Sequence, residues 1–415
     1  MEYSLLSKTI TKSLDRNTKK NNGIFFTPPE TVKRSLSVLK SQLKNVKTIL
    51  EPSCGSCEFI LPLLEKSYKL TGIEYNKDIY ESIKYLQDNK NDLTLIQDDF
   101  ISWNSPHKYD LIIGNPPFYV MPKNKVDKKY YKYFTGRPNI FILFIIKSLS
   151  LLNKGGILSF VLPTSFLNSS YYKNTRKYIN DNFKILNILN CKGDYLETKQ
   201  NTVILIIQNI RNRNIFWRGK IYKIIDNSKF ILNKYDNLIF GTHEKIHKLR
   251  ELYKGSTTLN KMGFSVNVGN IVWNQRKKYL TDDTTKTHLI YSSDIRNNKL
   301  VIQDYKNPEK KNYIDCSELS ISGETRPLLV VNRGYGNANY KFSYLLLKGD
   351  FKYLIENHLI CIRYKGIIDD DKLLTLYDRI IHSFNDEKTR EFIKIFSGNN
   401  AMTTNELCNM LPIYC

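Results

Sequence analysis

The chain has 415 residues, of which 41% are hydrophobic and 25% charged, proportions that exclude a disordered polymer, and its length suits two domains with their own cores or three small ones. Its 63 Lys and Arg against 40 Asp and Glu leave a formal net charge of +23, an excess that calls for a polyanionic partner, either nucleic acid or an acidic membrane. The longest apolar candidate, Ile140 to Ile146, is cut by Lys147 and falls far short of the roughly 20 residues of a membrane span, so nucleic acid is the favoured polyanion.

The first 20 residues, MEYSLLSKTITKSLDRNTKK, carry an early acid and no long apolar core, and read as an N-terminal extension rather than a signal peptide. From about residue 45 to 210, apolar runs alternate with helical stretches. Candidate strands are Thr48–Glu51, Lys69–Glu74, Leu93–Gln97, Asp110–Ile113, Gly156–Leu162, Lys184–Leu189 and Thr202–Ile207, and candidate helices are Asn76–Gln87, Asn139–Leu152 and Ser170–Asn182. That alternation predicts an α/β fold, a doubly wound sheet of parallel strands covered on both faces, with the last two strands as an antiparallel edge pair. After about residue 240 the pattern fades into a helix, His243–Tyr253, and short mixed strands among Gly, Asn and Ser. The reading places a catalytic domain at residues 21–240 and a second, α+β domain at 241–415. The seven cysteines read as reduced thiols of a cytosol-like compartment, and Cys54 and Cys57 form a CxxC with no second pair to complete a zinc site.

Chemistry concentrates at the strand ends. The fourth strand runs into Gly114-Asn115-Pro116-Pro117-Phe118, a turn fixed by two prolines that presents acceptors where open α/β sheets put their ligands. An ordinary strand-to-loop turn is the plainer alternative. The first strand ends Glu51-Pro52-Ser53-Cys54-Gly55-Ser56-Cys57, small residues that allow close approach of a nucleotide-like ligand. Glu74, at the end of the second strand, stands where an acid binds ribose hydroxyls; a single loop glycine rules out a dinucleotide fingerprint. Asp98-Asp99-Phe100 closes the third strand, with a carboxylate for an adenine amine and a ring to pack against it. Each acid alone is as well explained as a solvated strand end; in order, they project to one rim of the sheet.

As a set, Phe26-Thr27-Pro28-Pro29-Glu30, Glu51-Pro52-Ser53-Cys54-Gly55 and Asn115-Pro116-Pro117-Phe118 resemble the gamma group of S-adenosylmethionine-dependent DNA adenine-N6 methyltransferases of restriction-modification systems, over about residues 22 to 210. The resemblance implies a Rossmann-like methyltransferase sheet with a separate C-terminal target-recognition domain. It implies S-adenosylmethionine as cofactor, with Thr27, Pro28, Glu51, Pro52, Cys54 and Gly55 around its methionine end, Glu74 on the ribose, and Tyr75, Asp99 and Phe100 on the adenine. Asn115, Pro116, Pro117 and Phe118 are then the catalytic turn, which also borders the cofactor through Asn115. Tyr195, ahead of Lys199 and the Thr202 strand, matches loosely the aromatic that stacks with Phe118 on a flipped target base. The family often has Gly where Cys57 stands, so a slightly different loop geometry is expected there.

The mechanism this implies activates a poor nucleophile by accepting its hydrogens on Asn115 and the Pro116 carbonyl, with no metal and no histidine. Basic and amide-rich clusters at Trp273–Tyr279 and Asn332–Lys341 suit phosphate contact and base reading, with Arg276, Lys277, Arg333 and Asn337 as DNA-binding candidates beside Lys199. The resemblance further implies duplex DNA as partner, a restriction endonuclease as a cognate enzyme, a monomeric protein, and a cytoplasmic location or, for a virus-encoded chain, a viral replication compartment. Competing readings are an RNA or protein-glutamine amino-methyltransferase, cytosine-N4 methylation, where Ser commonly replaces Asn, and a non-catalytic DNA specificity subunit, against which the intact Asn115 and Glu74 argue.

Overall fold

A computed structural model describes residues 2–88, 90, 92–196, 200–210, 214–217, 220–223, 225–235, 237–333, 342–397 and 402–414. The chain divides into two compact units, Met1–His247 and Lys248–Cys415. The first 20 residues, expected as an extension, belong to the first unit.

The first unit is built on seven strands: β1 (Thr48–Glu51), β2 (Lys69–Glu74), β3 (Leu93–Gln97), β4 (Tyr109–Gly114), β5 (Leu152–Pro163), β6 (Lys184–Asn190) and β7 (Thr202–Gln208). Their order across the sheet is β3-β2-β1-β4-β5-β7-β6. β1 to β5 are parallel, and β7 runs antiparallel between β5 and the edge strand β6. The helices are α1 (Leu5–Ser13), α2 (Arg16–Asn22), α3 (Pro29–Val38), α4 (Lys77–Ile83), α5 (Ile140–Ser150) and α6 (Lys173–Asn182). The fold is therefore the doubly wound α/β sheet read from the sequence.

Covering both faces explains why the strands are continuously apolar rather than alternating. Leu50, Ile112, Leu158, Phe160, Val203, Leu205 and Ile207 pack with α5 on one side. Ile49, Leu111, Ile113, Val161, Ile204 and Ile206 pack with residues of α1, α3 and α4 on the other. α5 is buried over nine of its positions, as its sequence Ile-Phe-Ile-Leu-Phe-Ile-Ile requires, and Asn139 caps its first turn. Its Lys147 keeps the ammonium supplied: Nζ donates to Ile101 O at 2.9 Å and to Trp103 O, and lies 5.1 Å from the Phe100 ring centre.

The second unit pairs a four-stranded antiparallel sheet with a smaller mixed one. The first has the order 264–268, 359–364, 328–332, 344–347, and the second the order 280–281, 313–314, 287–290, 353–355. The helices Asp370–Asn385, Glu387–Ser397 and Thr404–Asn409 follow at its C-terminal end. This is the α+β character expected of the C-terminal part.

Candidate active site

The order of the sheet reverses between β1 and β4: successive strands are added outward from β1 on one side and from β4 on the other. Loops leaving the carboxyl ends of neighbouring strands part at such a point and leave a crevice. A cavity of about 500 Å³ opens there, and each strand from β1 to β4 sends its terminal residues into the lining, namely Glu51, Glu74, Asp98 with Asp99, and Asn115. Thr27, Pro52, Cys54, Gly55, Tyr75, Phe100 and Pro117 line it too, whereas Pro28, Pro116, Phe118 and Tyr195 are outside that lining. Pro28 is the N-cap of α3 instead. Tyr195 rests its hydroxyl 3.2 Å from Thr202 Oγ1, and its burial raises the phenol well above its usual range. Lys199 and Asn337 lie outside the described residues.

The loop after β1 is drawn under β2. Cys54 N donates to Ile73 O at 2.9 Å, and Gly55, at φ +50°, turns its N–H onto Glu74 Oε2 at 2.9 Å. Asn76 N donates to the other carboxylate oxygen at 2.8 Å, so Glu74 is held in one orientation by backbone from two loops. Cys57 adopts φ +60°, the left-handed conformation that glycine favours. The loop thus takes a backbone conformation that glycine would also adopt at this position.

Two acceptors on the lining are buried with no hydrogen-bond partner among the described residues, Glu51 Oε2 and Asn115 Oδ1. Such groups are costly unless a ligand satisfies them. Asn115 is oriented by its other amide atom, Nδ2, which donates to Phe25 O at 3.1 Å. The Asn115 carbonyl accepts Ser53 Oγ at 3.3 Å, pinning the turn to the β1 loop. Phe118 packs edge-on against Phe141 of α5, with ring centres 5.9 Å apart. Burial pushes the Glu51 carboxyl well above the carboxylate range and Glu74 up to about 7.

The charge of the lining is opposite to that of the protein. Glu51, Glu58, Glu74, Asp98, Asp99 and Asp127 face it, with Lys125 as the cation among the described lining residues. Phe25, Phe26, Ser56, Glu58 and Tyr119 join it without having been expected. Glu58 was visible as an acid at the end of the small-residue loop; the part played by the Phe25 carbonyl has no signature in side-chain identity.

The family described as Eco57I restriction-modification methylase matches residues 28–196, the span that carries every one of these strand ends. Over that span the chain is similar to the restriction-modification methylases. Full-length similarity points the same way: the chain is 27% identical to the modification methylase CviBIII of Paramecium bursaria Chlorella virus NC1A over 100% of its own length and 99% of that protein. It is 26% identical to the type II methyltransferase M.CvrRI of Paramecium bursaria Chlorella virus XZ-6E, covering 97% of each. Over 49% of its length, identity to the type II methyltransferase M.HincII of Haemophilus influenzae is 31%. Among solved structures, that of a DrdV–DNA complex superposes on 99% of this protein and 57% of that chain with a TM-score of 0.51 at 14% identity, which establishes likeness of fold.

The cavity fits S-adenosylmethionine, the methyl donor that the resemblance implies. A sulfonium and an ammonium suit a carboxylate-rich lining, the orphaned Glu51 oxygen needs a donor, and Phe26, Phe100 and Tyr75 offer ring faces for a nucleoside.

In the second unit, Arg276, Lys277 and Arg333 are exposed. Lys277 pairs with Glu309 at 2.5 Å and stands 5.9 Å from the Trp273 ring centre, while the Arg333 N–H donates to His358 O at 3.2 Å. No helix among the described residues is long and apolar enough to cross a membrane, and no cluster of His, Cys, Asp and Glu among them is arranged to hold a metal.

Proposed function

We infer that this protein transfers a methyl group to the N6 amine of an adenine flipped out of duplex DNA, at a specific sequence. The observation that carries the reading is Asn115: a buried, unpartnered Oδ1 in the cavity, held in that orientation because Nδ2 is committed to Phe25 O. An aromatic amine is a poor nucleophile because its lone pair is delocalised into the ring. Asn115 Oδ1 and the Pro116 carbonyl accept its two hydrogens, and the nitrogen regains lone-pair density directed at the methyl group. Bound S-adenosylmethionine supplies an electrophilic methyl on a cationic sulfur.

The protein's contribution is orientation and fixed dipoles; a proton leaves the product amine without any side chain acting as a strong base. Thr27, Glu51, Pro52, Cys54 and Gly55 hold the methionine end, Glu74 the ribose, and Tyr75, Asp99 and Phe100 the adenine of the cofactor. Phe118, backed by Phe141, supplies one face for the target base, and Tyr195 is the candidate for the other. Stacking of that kind is worth roughly 1–3 kcal/mol per base.

The basic residues Arg276, Lys277 and Arg333, with Lys199 and Asn337, engage the DNA, consistent with the net charge of +23. The N6 position is favoured over cytosine N4 because Asn, not Ser, opens the turn. In the decisive comparison, Asn115→Ala loses at least about 10²-fold in turnover, as removal of a preorganised polar group does, with cofactor affinity within about twofold. Retained turnover in that variant would refute the role given to Asn115.

A further inference from the structure

Residues 3–23 precede every element that the sequence ties to the site, yet they touch both of its halves. At one end, Gly23 terminates α2 at φ +63° and packs on the catalytic turn so closely that a Cβ there would lie 2.9 Å from Phe118 N. At the other, α1 reaches the loop after β1 through two serines. Ser4 caps α1, its Oγ accepting Ser7 N at 3.0 Å while donating to Glu58 Oε1 at 2.6 Å. Ser7 is completely buried although α1 is a polar helix, because its hydroxyl is inserted between Ser56 Oγ, at 2.6 Å, and Glu58 Oε1.

Proton counting gives the direction of that chain. Ser7 has one hydroxyl proton and gives it to Glu58, so Ser56 donates to Ser7. Glu58 therefore receives two charge-assisted hydrogen bonds on one oxygen, and Ser56 and Glu58 both line the cofactor cavity.

The amino-acid end of the methyl donor carries an ammonium, with three donors to satisfy. Of the acids near the β1 loop, Glu74 already accepts a backbone N–H on each oxygen. Glu51 offers one buried, unpartnered oxygen, which marks this end of the cavity as the place for a donor. Glu58 is half-buried, so its charge costs less to keep than that of a fully buried acid, and its orientation is fixed from α1.

We propose that Glu58 is the acidic partner of the cofactor's ammonium group, shared with Glu51 Oε2, and that Ser7 is a positioning residue that sets Glu58 from the N-terminal helix. The inference rests on S-adenosylmethionine as methyl donor and is independent of which base is methylated.

Calorimetry on the full chain without DNA tests it, using S-adenosylhomocysteine, which keeps the ammonium, and 5′-methylthioadenosine, which lacks the amino-acid end. Glu58→Gln should weaken the first ligand by about tenfold or more, as expected for losing a hydrogen bond to a charged group, and the second by less than about twofold. Ser7→Ala should weaken the first ligand about threefold and add little in the Glu58→Gln background, since it acts through Glu58. Equal weakening of both ligands, an unchanged affinity for S-adenosylhomocysteine, or additive effects of the two substitutions would each overturn the proposal. If Glu58→Gln does not fold, the selective loss in Ser7→Ala decides alone. Failure to find methylated adenine leaves these affinities untouched, whereas failure of the wild type to bind either ligand removes the cofactor assignment itself.

Discussion

Protonating Glu74 should loosen the cofactor, and the structure sets how much. Its carboxyl is pushed from 4.5 up to about 7, chiefly by burial, against the opposing N–H donations from Asn76, Gly55 and Tyr75. A rise of roughly 2.5 units, at about 1.4 kcal/mol each, means that ionised Glu74 costs the fold on the order of 3 kcal/mol. The sign follows from linkage. The unfolded acid ionises first, so this contribution to stability is greatest below pH 4.5, declines as pH rises towards 7, and is fully lost above it.

Ribose hydroxyls donate to the ionised form, so binding works in the opposite sense and is strongest at high pH. Between pH 7.5 and 5.5 the ionised fraction of a group titrating near 7 falls from about 0.76 to about 0.03, and Kd for S-adenosylhomocysteine should rise roughly 25-fold. Near pH 7, binding should also release about half a proton, seen in calorimetry as a dependence on the buffer's ionisation enthalpy. Glu74→Gln should bind weakly with a flat profile. A wild-type affinity that is constant across this range, with no buffer dependence, would refute the assignment of Glu74 to the ribose.

Other consequences are more local. Arg176 is buried and donates to Leu238 O, Phe166 O and Ser169 O at 2.8–2.9 Å, its guanidinium lowered to about 9 by desolvation. Arg176→Leu removes the donor to the Leu238 and Phe166 carbonyls, while Ser169 O keeps the Tyr172 N–H at 3.3 Å, and should cost roughly 3 kcal/mol in a denaturant melt; a loss under about 1 kcal/mol would contradict the role given to it. At Cys57, glycine relieves about 1 kcal/mol of left-handed strain and loses a comparable amount of buried surface, so Cys57→Gly should melt close to wild type. Cys57→Val, branched at Cβ, should melt several degrees lower, and the reverse ranking would exclude the left-handed conformation at this residue. Arg276→Ala and Arg333→Ala should each lower the slope of log K for DNA against log salt by about 1, read by fluorescence anisotropy, while cofactor affinity stays unchanged. An unaltered slope would remove that residue from the DNA interface.

The sheet was legible because burial on both faces leaves its strands as uninterrupted apolar runs; Thr48–Glu51, Lys69–Glu74 and Leu93–Gln97 were read to the residue. The start of β5 was not: the strand begins at Leu152, where a helix end was read, rather than at Gly156, and this extra segment pairs with β4 across a register shift. Site residues that sit at strand ends were legible for the same reason, since Glu51, Glu74, Asp99 and Asn115 each close an apolar run. What stayed hidden depends on distant chain segments meeting. Asn115 is anchored by a backbone carbonyl 90 residues away, and Ser7 meets Glu58 across 51 residues, through hydroxyls that in sequence look like any polar helix surface. The C-terminal unit gave the weakest signal, because its strands of two to six residues carry no period long enough to count.

The central claim is the identity of the methylated atom. Incubation of the protein with methyl-labelled S-adenosylmethionine and duplex DNA, followed by digestion to nucleosides and chromatography, reads it directly. Label should co-migrate with N6-methyldeoxyadenosine for the wild type and be absent for Asn115→Ala; label in N4-methyldeoxycytidine, or in RNA or protein but not in DNA, would contradict it.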